Sequence, residues 1–182
     1  MQTIDCSPSF QGTPMHFALQ HLILIRHAHA LTAAVGQADF DRELSTQGIN
    51  EAHATGQWLQ QQAWQVDIAL TSPAQRTRQT LDGLQAGGWS LPVAHFEPRL
   101  YEATLGMLLA AIEDALQAKP DARSLAVIAH NPGLEYLLVH LTDTRTLRWQ
   151  GMPTAAAAIL RLNENMPLLA PGSAAITGFR VP

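Results

Sequence analysis

Two arginines and two histidines follow short apolar segments of the chain. Such segments are typical of buried strands, so these polar residues would lie where the chain emerges from a strand. Arg26 and His27 come directly after the first such segment. Arg76 comes soon after the second segment, and His130 directly follows the third. An imidazole can act as a nucleophile, and a guanidinium group binds phosphoryl oxygens through paired donors. These residues therefore indicate chemistry on a phosphorylated substrate, provided that the fold brings them together.

Other common ways of handling phosphate lack their residues in this chain. A glycine-rich nucleotide loop needs a lysine after its last glycine, and the only lysine, Lys119, lies outside any such motif. A cysteine phosphatase needs an arginine six positions after its cysteine, whereas Gly12 stands six positions after the only cysteine, Cys6. An aspartate nucleophile would be expected to close an apolar strand, but Asp39 and Asp41 lie in a polar stretch.

The size, composition and charge of the chain limit its class and its partners. It has 182 residues, of which 47% are hydrophobic and 14% charged, which predicts one domain over residues 21–182 after an N-terminal extension, 1–20. The net charge of −4 offers no broad basic face, so nucleic acid is not expected as a partner. The apolar runs fall far short of the ~20 residues that a membrane-spanning helix needs. Residues 1–15 lack the basic residues of a secretory signal, so we expect a cytoplasmic protein without a membrane partner.

Predicted strands and helices alternate along the sequence. Apolar segments predict four strands, together with one further edge strand near the C-terminus; the four lie at residues 21–25, 66–71, 124–129 and 154–162. This alternation predicts an α/β fold, a three-layer α/β/α sandwich with a mostly parallel central sheet. In such sheets ligands bind beyond the carboxyl ends of the strands, where the four candidate residues are expected.

Capping residues predict where the helices between these strands begin. Ser45 and Thr104 are expected to cap helices that end near residues 62 and 118. Ser72 as a cap and Pro73 in the first turn predict a helix that ends near residue 84. Asn131 precedes a proline and a glycine that are expected to open a helix to about residue 141.

The segments at the three strand ends resemble the signatures of the histidine phosphatase superfamily. Residues 24–28 resemble its Arg-His-Gly signature, with Ala28 in place of the usual glycine. Residues 72–80 resemble its Ser-Pro-x-x-Arg-x-x-Gln-Thr block, and residues 127–133 resemble its second-histidine block. These segments stand in the family's order.

One branch of this superfamily is especially similar. The form His-Asn-Pro-Gly at residues 130–133, the stretch 41–48 and the short chain are typical of the SixA-type phosphohistidine phosphatases. The resemblance covers residues 21–162 and implies a phosphoglycerate mutase-like fold.

The resemblance also implies a role for each catalytic candidate. His27 would carry a covalent phosphohistidine intermediate, while Arg26 and Arg76 would hold the phosphoryl oxygens and keep the ring neutral, because positive charge disfavours its protonation. His130 would donate a hydrogen bond to another oxygen and would be charged mainly in the complex. Glu102 lies at the Leu-x-Glu position where many members carry their general acid. No metal ion or other cofactor is implied.

Three further residues are candidates for substrate binding. Asn131 begins the segment whose helix amides could bind an anion. Arg42 could reach the edge of the phosphate site or pair with a nearby carboxylate, and His29 could line its mouth. Ser72 is expected to cap its helix rather than to take part in chemistry.

The leading functional hypothesis is a metal-independent phosphatase acting on phosphohistidine in a protein. The same core could instead act on a small phosphomonoester, so the partner is a phosphorylated protein or a small phosphorylated substrate. A metal-dependent hydrolase with His27 and His29 as ligands is a more distant alternative, because Arg26 and Arg76 would repel a divalent cation. A non-catalytic phosphate-binding module is disfavoured, since both histidines and both arginines are present. No oligomeric state is predicted.

Overall fold

The computed structural model describes residues 17–142 and 151–182. Residues 1–16 of the predicted extension, with Cys6, therefore lie outside the described residues. The last residues of that extension contact the segment before the third predicted strand, because the amides of Ala18 and Gln20 donate to the carbonyl oxygens of Pro120 and Arg123. Within the two described ranges, no helix has the length and apolar character needed to cross a membrane.

Six strands and four α-helices are described. The strands are β1 (His21–Arg26), β2 (Ile68–Thr71), β3 (His95–Phe96), β4 (Ser124–Ala129), β5 (Ala157–Leu162) and β6 (Ala174–Arg180). The helices are α1 (Thr46–Gln61), α2 (Gln75–Ala86), α3 (Leu105–Ala118) and α4 (Gly133–Leu141). Two short 3-10 helices lie at Asp39–Asp41 and Pro98–Leu100.

The strands form one sheet in the order β3-β2-β4-β1-β5-β6. Strands β1 to β4 run parallel, β5 runs antiparallel to β1, and β6 runs antiparallel to β5. Helices α1 and α2 cover one face of the sheet, and α3 and α4 cover the other. The predicted three-layer α/β/α fold with a mostly parallel sheet is confirmed.

Burial on both faces explains why the sequence of β1 is a continuous apolar run. Leu22 and Leu24 belong to the core beneath α3 and α4, whereas Ile23 and Ile25 belong to the core beneath α1 and α2. Successive side chains of a strand point to opposite faces, so a central strand covered on both faces needs apolar residues at every position. All four side chains are fully buried, which holds the end of β1 firmly in place.

Two helix starts follow their predicted caps. The Ser45 side chain accepts a hydrogen bond from the amide of Gly48 at the start of α1, and the Thr104 side chain does the same for α3. Close packing joins α1 to α2, because a Cβ atom on Gly56 would overlap the main-chain carbonyl of Leu84. Glycine is required there by the close approach of the two backbones.

The predicted start of α2 is wrong. The helix begins at Gln75, and its N-cap is Ala74, which makes no side-chain capping bond. Ser72 Oγ accepts only a long bond of 3.4 Å from the Ala74 amide, and it lies 2.8 Å from Nε2 of His130. The hydroxyl that was predicted to cap the helix is therefore engaged by a site histidine.

β2 begins at Ile68, two residues later than predicted, and two larger differences concern β5 and β3. β5 begins at Ala157 rather than at Thr154, because Ala155 has a φ of 52°, outside the region that strands adopt. The sequence predicts no strand at β3. Its residues His95 and Phe96 are both exposed and pair only with the end of β2, so no apolar run marks them.

Candidate active site

The carboxyl ends of β2, β4 and β1 lie side by side at one edge of the sheet, because these strands are parallel neighbours. The pairing continues one residue beyond the strands: the amide of His27 donates to the carbonyl of Ala129, and that of Ser72 donates to Ile128. The rings of His27 and His130 come within 5.1 Å of each other, measured between centroids. The edge of the sheet thus brings both histidines and Ser72 together.

The ring of His27 is held by one nitrogen. Its Nδ1 lies 2.8 Å from the carbonyl oxygen of Ala28, and because a carbonyl can only accept, Nδ1 carries the hydrogen. In the neutral ring, Nε2 then holds the lone pair that a nucleophile needs. Burial lowers the pKa of His27 to about 4; the bond to Ala28 opposes this change, and the charges of Arg76 and Arg26 reinforce it. The ring is therefore neutral at pH 7.

Ala28 is anchored at its amide, its carbonyl and its side chain. The amide donates to Thr80 Oγ1 at 3.0 Å, and the carbonyl accepts from His27. The methyl group is fully buried in a small cluster with Leu44, Ala52 and Ala155. Ala28 is not among the described non-glycine residues with positive φ, so alanine replaces the glycine of the signature without backbone strain.

The guanidinium of Arg26 is held by a carbonyl oxygen. Its Nη1 donates to the main-chain oxygen of Met152 at 2.7 Å. Asn131 Nδ2 donates to the same oxygen at 3.0 Å and to Glu135 Oε1 at 2.8 Å, and the Met152 amide also donates to Glu135 Oε1. Asn131 and Glu135 thus position Met152, and through it Arg26. The expected contact of Asn131 with substrate stays a prediction.

The guanidinium of Arg76, at the second residue of α2, is held by Asp39. Its Nη1 donates to the main-chain oxygen of Asp39 at 2.7 Å, and its Nη2 donates to Oδ2 of the same residue at 2.9 Å. Arg76 is buried, whereas the Asp39 side chain is 48% exposed. Sequence motifs assign Asp39 no role; the available signal is its place three residues before Arg42, which it also binds.

Two of the arginine nitrogens lack a hydrogen-bond acceptor among the described residues. The Nε atoms of Arg26 and Arg76 are buried and have no hydrogen-bond partner among the described residues. Buried donors are normally paired, so unpaired ones need an explanation. An oxyanion bound between the two guanidinium groups would supply the missing acceptor.

The Ser72 hydroxyl contacts one ring nitrogen of His130. The Ser72 hydroxyl oxygen accepts from the Ala74 amide, so its own hydrogen can go to Nε2 of His130, 2.8 Å away. In the neutral ring the other nitrogen, Nδ1, then carries the hydrogen and is the donor. Nδ1 has no hydrogen-bond partner in the described part of the chain. Burial, followed by the charges of His27 and Arg76, lowers the pKa of His130 to about 3, so the free ring donates without being charged.

Asp39, Phe40, Arg42 and Tyr101 form one side of the site, which we call the rim. The Tyr101 hydroxyl donates to Asp39 Oδ2 at 2.9 Å, and Arg42 Nη1 donates to Asp39 Oδ1 at 2.8 Å. The Tyr101 ring lies edge-on to Phe40 at 5.1 Å and to His130 at 5.6 Å. The Arg42 bond, with smaller contributions from Tyr101 and Arg76, lowers the pKa of Asp39 to about 2. The rim therefore presents a carboxylate at neutral pH.

Arg42 takes part in the site through this carboxylate. Its Nε also donates to the carbonyl oxygen of Leu31 at 2.7 Å, which fixes the guanidinium. Its positive charge is one of the smaller causes of the lowered pKa of His27, behind burial. The structure shows the first alternative for Arg42, pairing with a carboxylate; its reach to the edge of the phosphate site stays a prediction.

Glu102 and His29 make no described contact with the site histidines. Glu102 is exposed with a φ of 50°, and it makes no hydrogen bond or ion pair with any described residue. His29 is exposed, and its Nδ1 lies 2.8 Å from Ser45 Oγ. The general acid at Glu102 and the binding role of His29 stay predictions.

The described residues also bear on the metal alternative. No group of three or more His, Cys, Asp or Glu side chains in residues 17–142 and 151–182 is arranged to hold a metal ion. The two histidines of that alternative use Nδ1 for different partners, the Ala28 carbonyl for His27 and Ser45 for His29.

Comparison with known proteins gives the class to which the chain belongs. A sequence model of the histidine phosphatase superfamily, branch 1, matches residues 22–110. An uncharacterized protein of Mycobacterium tuberculosis is 35% identical over 156 residues, covering 81% of this chain and 93% of that protein. An uncharacterized chloroplastic protein of Arabidopsis thaliana is 29% identical, covering 95% of this chain and 83% of that protein. The chain belongs to the histidine phosphatase superfamily, and the protein is a phosphatase.

Solved structures extend the likeness to one branch of this superfamily. A protein of Agrobacterium tumefaciens assigned as phosphohistidine phosphatase SixA has a TM-score of 0.73 and 28% identity, covering 90% of this chain and 99% of that chain. The protein histidine phosphatase SixA in complex with tungstate has a TM-score of 0.70 and 26% identity, covering 87% and 95%. The predicted phosphoglycerate mutase-like fold and the resemblance to the SixA-type branch are confirmed.

Proposed function

We propose that this protein removes phosphate from phosphohistidine side chains of proteins, through an intermediate on its own His27 and without a metal ion. The observation that carries the proposal is the orientation of the His27 ring. Its Nδ1 is bonded to the Ala28 carbonyl, and a neutral Nε2 is left near the charges of Arg26 and Arg76. A neutral nucleophile beside fixed positive charge suits attack on an anionic phosphoryl group.

The first step transfers the phosphoryl group to the enzyme. Nε2 of His27 attacks phosphorus, so that a new N–P bond forms while the bond to the leaving group breaks. The bond from Nδ1–H to the Ala28 carbonyl stabilises the positive charge that develops on the ring. A substrate imidazole that is protonated on its second nitrogen leaves as neutral imidazole, taking the electron pair of the broken bond.

The second step hydrolyses the intermediate. A water molecule attacks phosphorus on the side opposite Nε2, the N–P bond breaks, and its electron pair returns to His27. The phosphate keeps both hydrogens of the water molecule, so His27 is regenerated in its neutral form. No proton has to be supplied to or removed from the ring during the cycle.

Fixed donors would stabilise the negative charge on the transferred group. The Nε atoms of Arg26 and Arg76 and Nδ1 of His130 are buried and have no partner among the described residues, and we propose them as donors to the phosphoryl oxygens. Preorganised donors of this kind lower the barrier because they need no reorganisation during the reaction. We therefore expect activity to persist in EDTA; a complete loss that added metal restores would contradict this part of the proposal.

Two observations support phosphohistidine as the substrate. The likeness at 26–28% identity is to structures that bear the name of a phosphohistidine or protein histidine phosphatase. Glu102, the candidate general acid, is exposed and makes no described contact with His130 or His27. A protonated phosphoramidate needs little help from an acid to release its imidazole, whereas an alkyl phosphate needs more.

Trapping the intermediate tests the mechanism. The chain is mixed with a radiolabelled phosphohistidine protein, quenched in base, and analysed for label that survives base but is lost in acid. We expect label on the wild type and on the matched control His95→Ala, which changes an exposed histidine of β3. We expect no label and no turnover for His27→Ala. Label on another residue, or turnover by His27→Ala, would overturn the mechanism.

A comparison of substrates tests the second half of the proposal. The wild type should show a higher kcat/KM for a phosphohistidine protein than for sugar phosphates. Faster turnover of the sugar phosphates would favour the small-phosphomonoester alternative, with the same catalytic core.

We also propose that the protein acts in the cytoplasm, which fractionation of cells that express a tagged chain would test.

A further inference from the structure

The Asp39 carboxylate accepts a hydrogen bond from the guanidinium of Arg76, one of the two guanidinium groups that would bind the phosphoryl group. Arg76 Nη2 donates to Asp39 Oδ2 at 2.9 Å, while Nε of the same guanidinium is left for a ligand. A phosphoryl group bound at Arg76 therefore shares this guanidinium with a carboxylate. The atoms of the leaving group, bonded to phosphorus, would come within several ångströms of that carboxylate.

Several donors hold the Asp39 carboxylate in this position. Arg42, Arg76 and Tyr101 each donate to one of its oxygens, and the main-chain oxygen of Asp39 accepts a further bond from Arg76. Half of the side chain is nevertheless exposed, so its outer side faces whatever approaches the site. Arg76 is buried, so its bond to Asp39 compensates a charge that has been removed from water. The bonds from the partly exposed Arg42 and from Tyr101 add little stability, which favours a role of the carboxylate toward the ligand.

The two aromatic members of the rim, Phe40 and Tyr101, suit a planar cation. The rings of Phe40 and Tyr101 meet edge-on at 5.1 Å beside the carboxylate, and 37% of Phe40 is exposed. Aromatic faces attract cations, and a carboxylate attracts them further. A negatively charged leaving group would instead be repelled by Asp39.

We propose that Asp39 selects the substrate by the charge of its leaving group, favouring a cationic group such as the imidazolium of phosphohistidine over an anionic one. The inference rests on the proposed binding of a phosphoryl group between Arg26 and Arg76. It adds a reason for preferring phosphohistidine that none of the motifs supplies. A carboxylate that accepts a hydrogen bond from the second imidazole nitrogen would also hold the leaving group in its protonated form, the form that departs readily.

Binding measurements on a variant that cannot turn over separate this inference from the catalytic proposal. In the His27→Ala chain, the Kd is measured for phosphocholine, which has a cationic leaving group, and for 3-phosphoglycerate, which has an anionic one. The same two values are then measured after adding Asp39→Asn. A unit charge at about 6 Å in a half-exposed site should change the ratio of the two affinities on the order of tenfold. We expect the substitution to shift that ratio by this factor in favour of the anionic ligand.

Asp41→Asn is the matched control. Asp41 lies in the same 3-10 helix and is exposed, and its substitution removes the same unit charge without touching Arg76. It should leave the ratio within about twofold, as should Asp39→Glu, which keeps the charge. An equal shift for Asp39→Asn and Asp41→Asn, or an equal effect of Asp39→Asn on both ligands, would overturn the inference.

Turnover gives a second readout that does not depend on the folding of one variant. In the wild type, kcat/KM for the cationic ester should exceed that for the anionic ester, and added salt should reduce the ratio because it screens an exposed charge. A ratio below one, or one that salt does not change, would count against Asp39 as the selecting group. If phosphohistidine is not hydrolysed while the charge preference persists, the proposed substrate fails and the inference on Asp39 stands.

Discussion

Acidification should leave the His27 ring neutral well below the pH at which an ordinary histidine becomes charged. Burial lowers its pKa from 6.5 to about 4. At pH 5 a ring with a pKa of 6.5 would be only about 3% neutral, whereas one with a pKa of about 4 is about 90% neutral. The neutral fraction of the His27 ring at pH 5 is thus about thirtyfold larger than that of an exposed histidine.

Nuclear magnetic resonance of the ring nitrogens measures this directly in the free enzyme. The wild-type chain, labelled with 15N-histidine, is titrated from pH 8 to pH 3.5, and the His27 signals are assigned by their loss in His27→Gln. We choose a titration of the free enzyme over a pH–rate profile, because a phosphate monoester substrate ionises near pH 6 and its own ionisation would change the rate over the same pH range. We also expect the Nδ1 signal to report a protonated nitrogen throughout, because Nδ1 donates to Ala28.

The same lowered pKa makes stability depend on pH. Between pH 6.5 and about 4, the unfolded chain binds a proton on this ring and the folded chain does not, so the free energy of unfolding decreases as the pH falls through that window. The full effect for His27 is on the order of 3 kcal/mol. Urea unfolding of the wild type and of His27→Gln should therefore diverge between pH 7 and pH 4. A midpoint for His27 near 6.5, or parallel curves for the two chains, would refute the reasoning.

Three further changes have defined outcomes. Arg76→Ala should keep the fold, as measured by circular dichroism, and lower kcat by about 10²–10³, since one preorganised donor to the phosphoryl group is lost. Ser72→Ala should lower kcat by roughly two- to tenfold, the worth of one hydrogen bond to His130. The ring-nitrogen shifts of His130 should move toward the other tautomer; unchanged shifts would contradict the role given to the hydroxyl. Gly56→Ala should lower the free energy of unfolding by about 1–3 kcal/mol because the new Cβ overlaps a main-chain carbonyl of α2. Its control Gly106→Ala, in open space on α3, should raise that free energy by about 0.4–1 kcal/mol in the same urea titration.

The parts of the site that sequence predicts are those fixed by strand ends. Arg26, His27 and His130 each follow an apolar run, and the parallel direction of β1 and β4 brings the ends of these runs to one edge of the sheet. The pattern of buried residues on both faces of β1 and β4 makes those runs easy to recognise. For the same reason, β3 could not be predicted, because its two exposed residues carry no such pattern.

The parts that sequence does not predict depend on contacts between distant segments. Asp39 meets Arg76 across 37 residues and Tyr101 across 62, and nothing in its polar surroundings indicates either partner. Ser72 precedes a proline at the start of a helix, which favours a cap; only the position of His130, 58 residues later, shows that its hydroxyl is used elsewhere. Local propensity describes the chain around a residue, whereas these two roles are set by what the fold places opposite it.

Ala28 affects when the segment around His27 loses its conformational entropy. Its amide, carbonyl and methyl group are all engaged in the folded chain, so the carbonyl that orients His27 has little freedom left. A glycine at this position would give the unfolded chain more conformations to lose on folding, by an amount worth about 0.4–1 kcal/mol. The ordering that orients the His27 ring is therefore completed once, when the chain folds. It does not have to be repeated each time a substrate binds, so it opposes neither binding nor the rate of the chemical step.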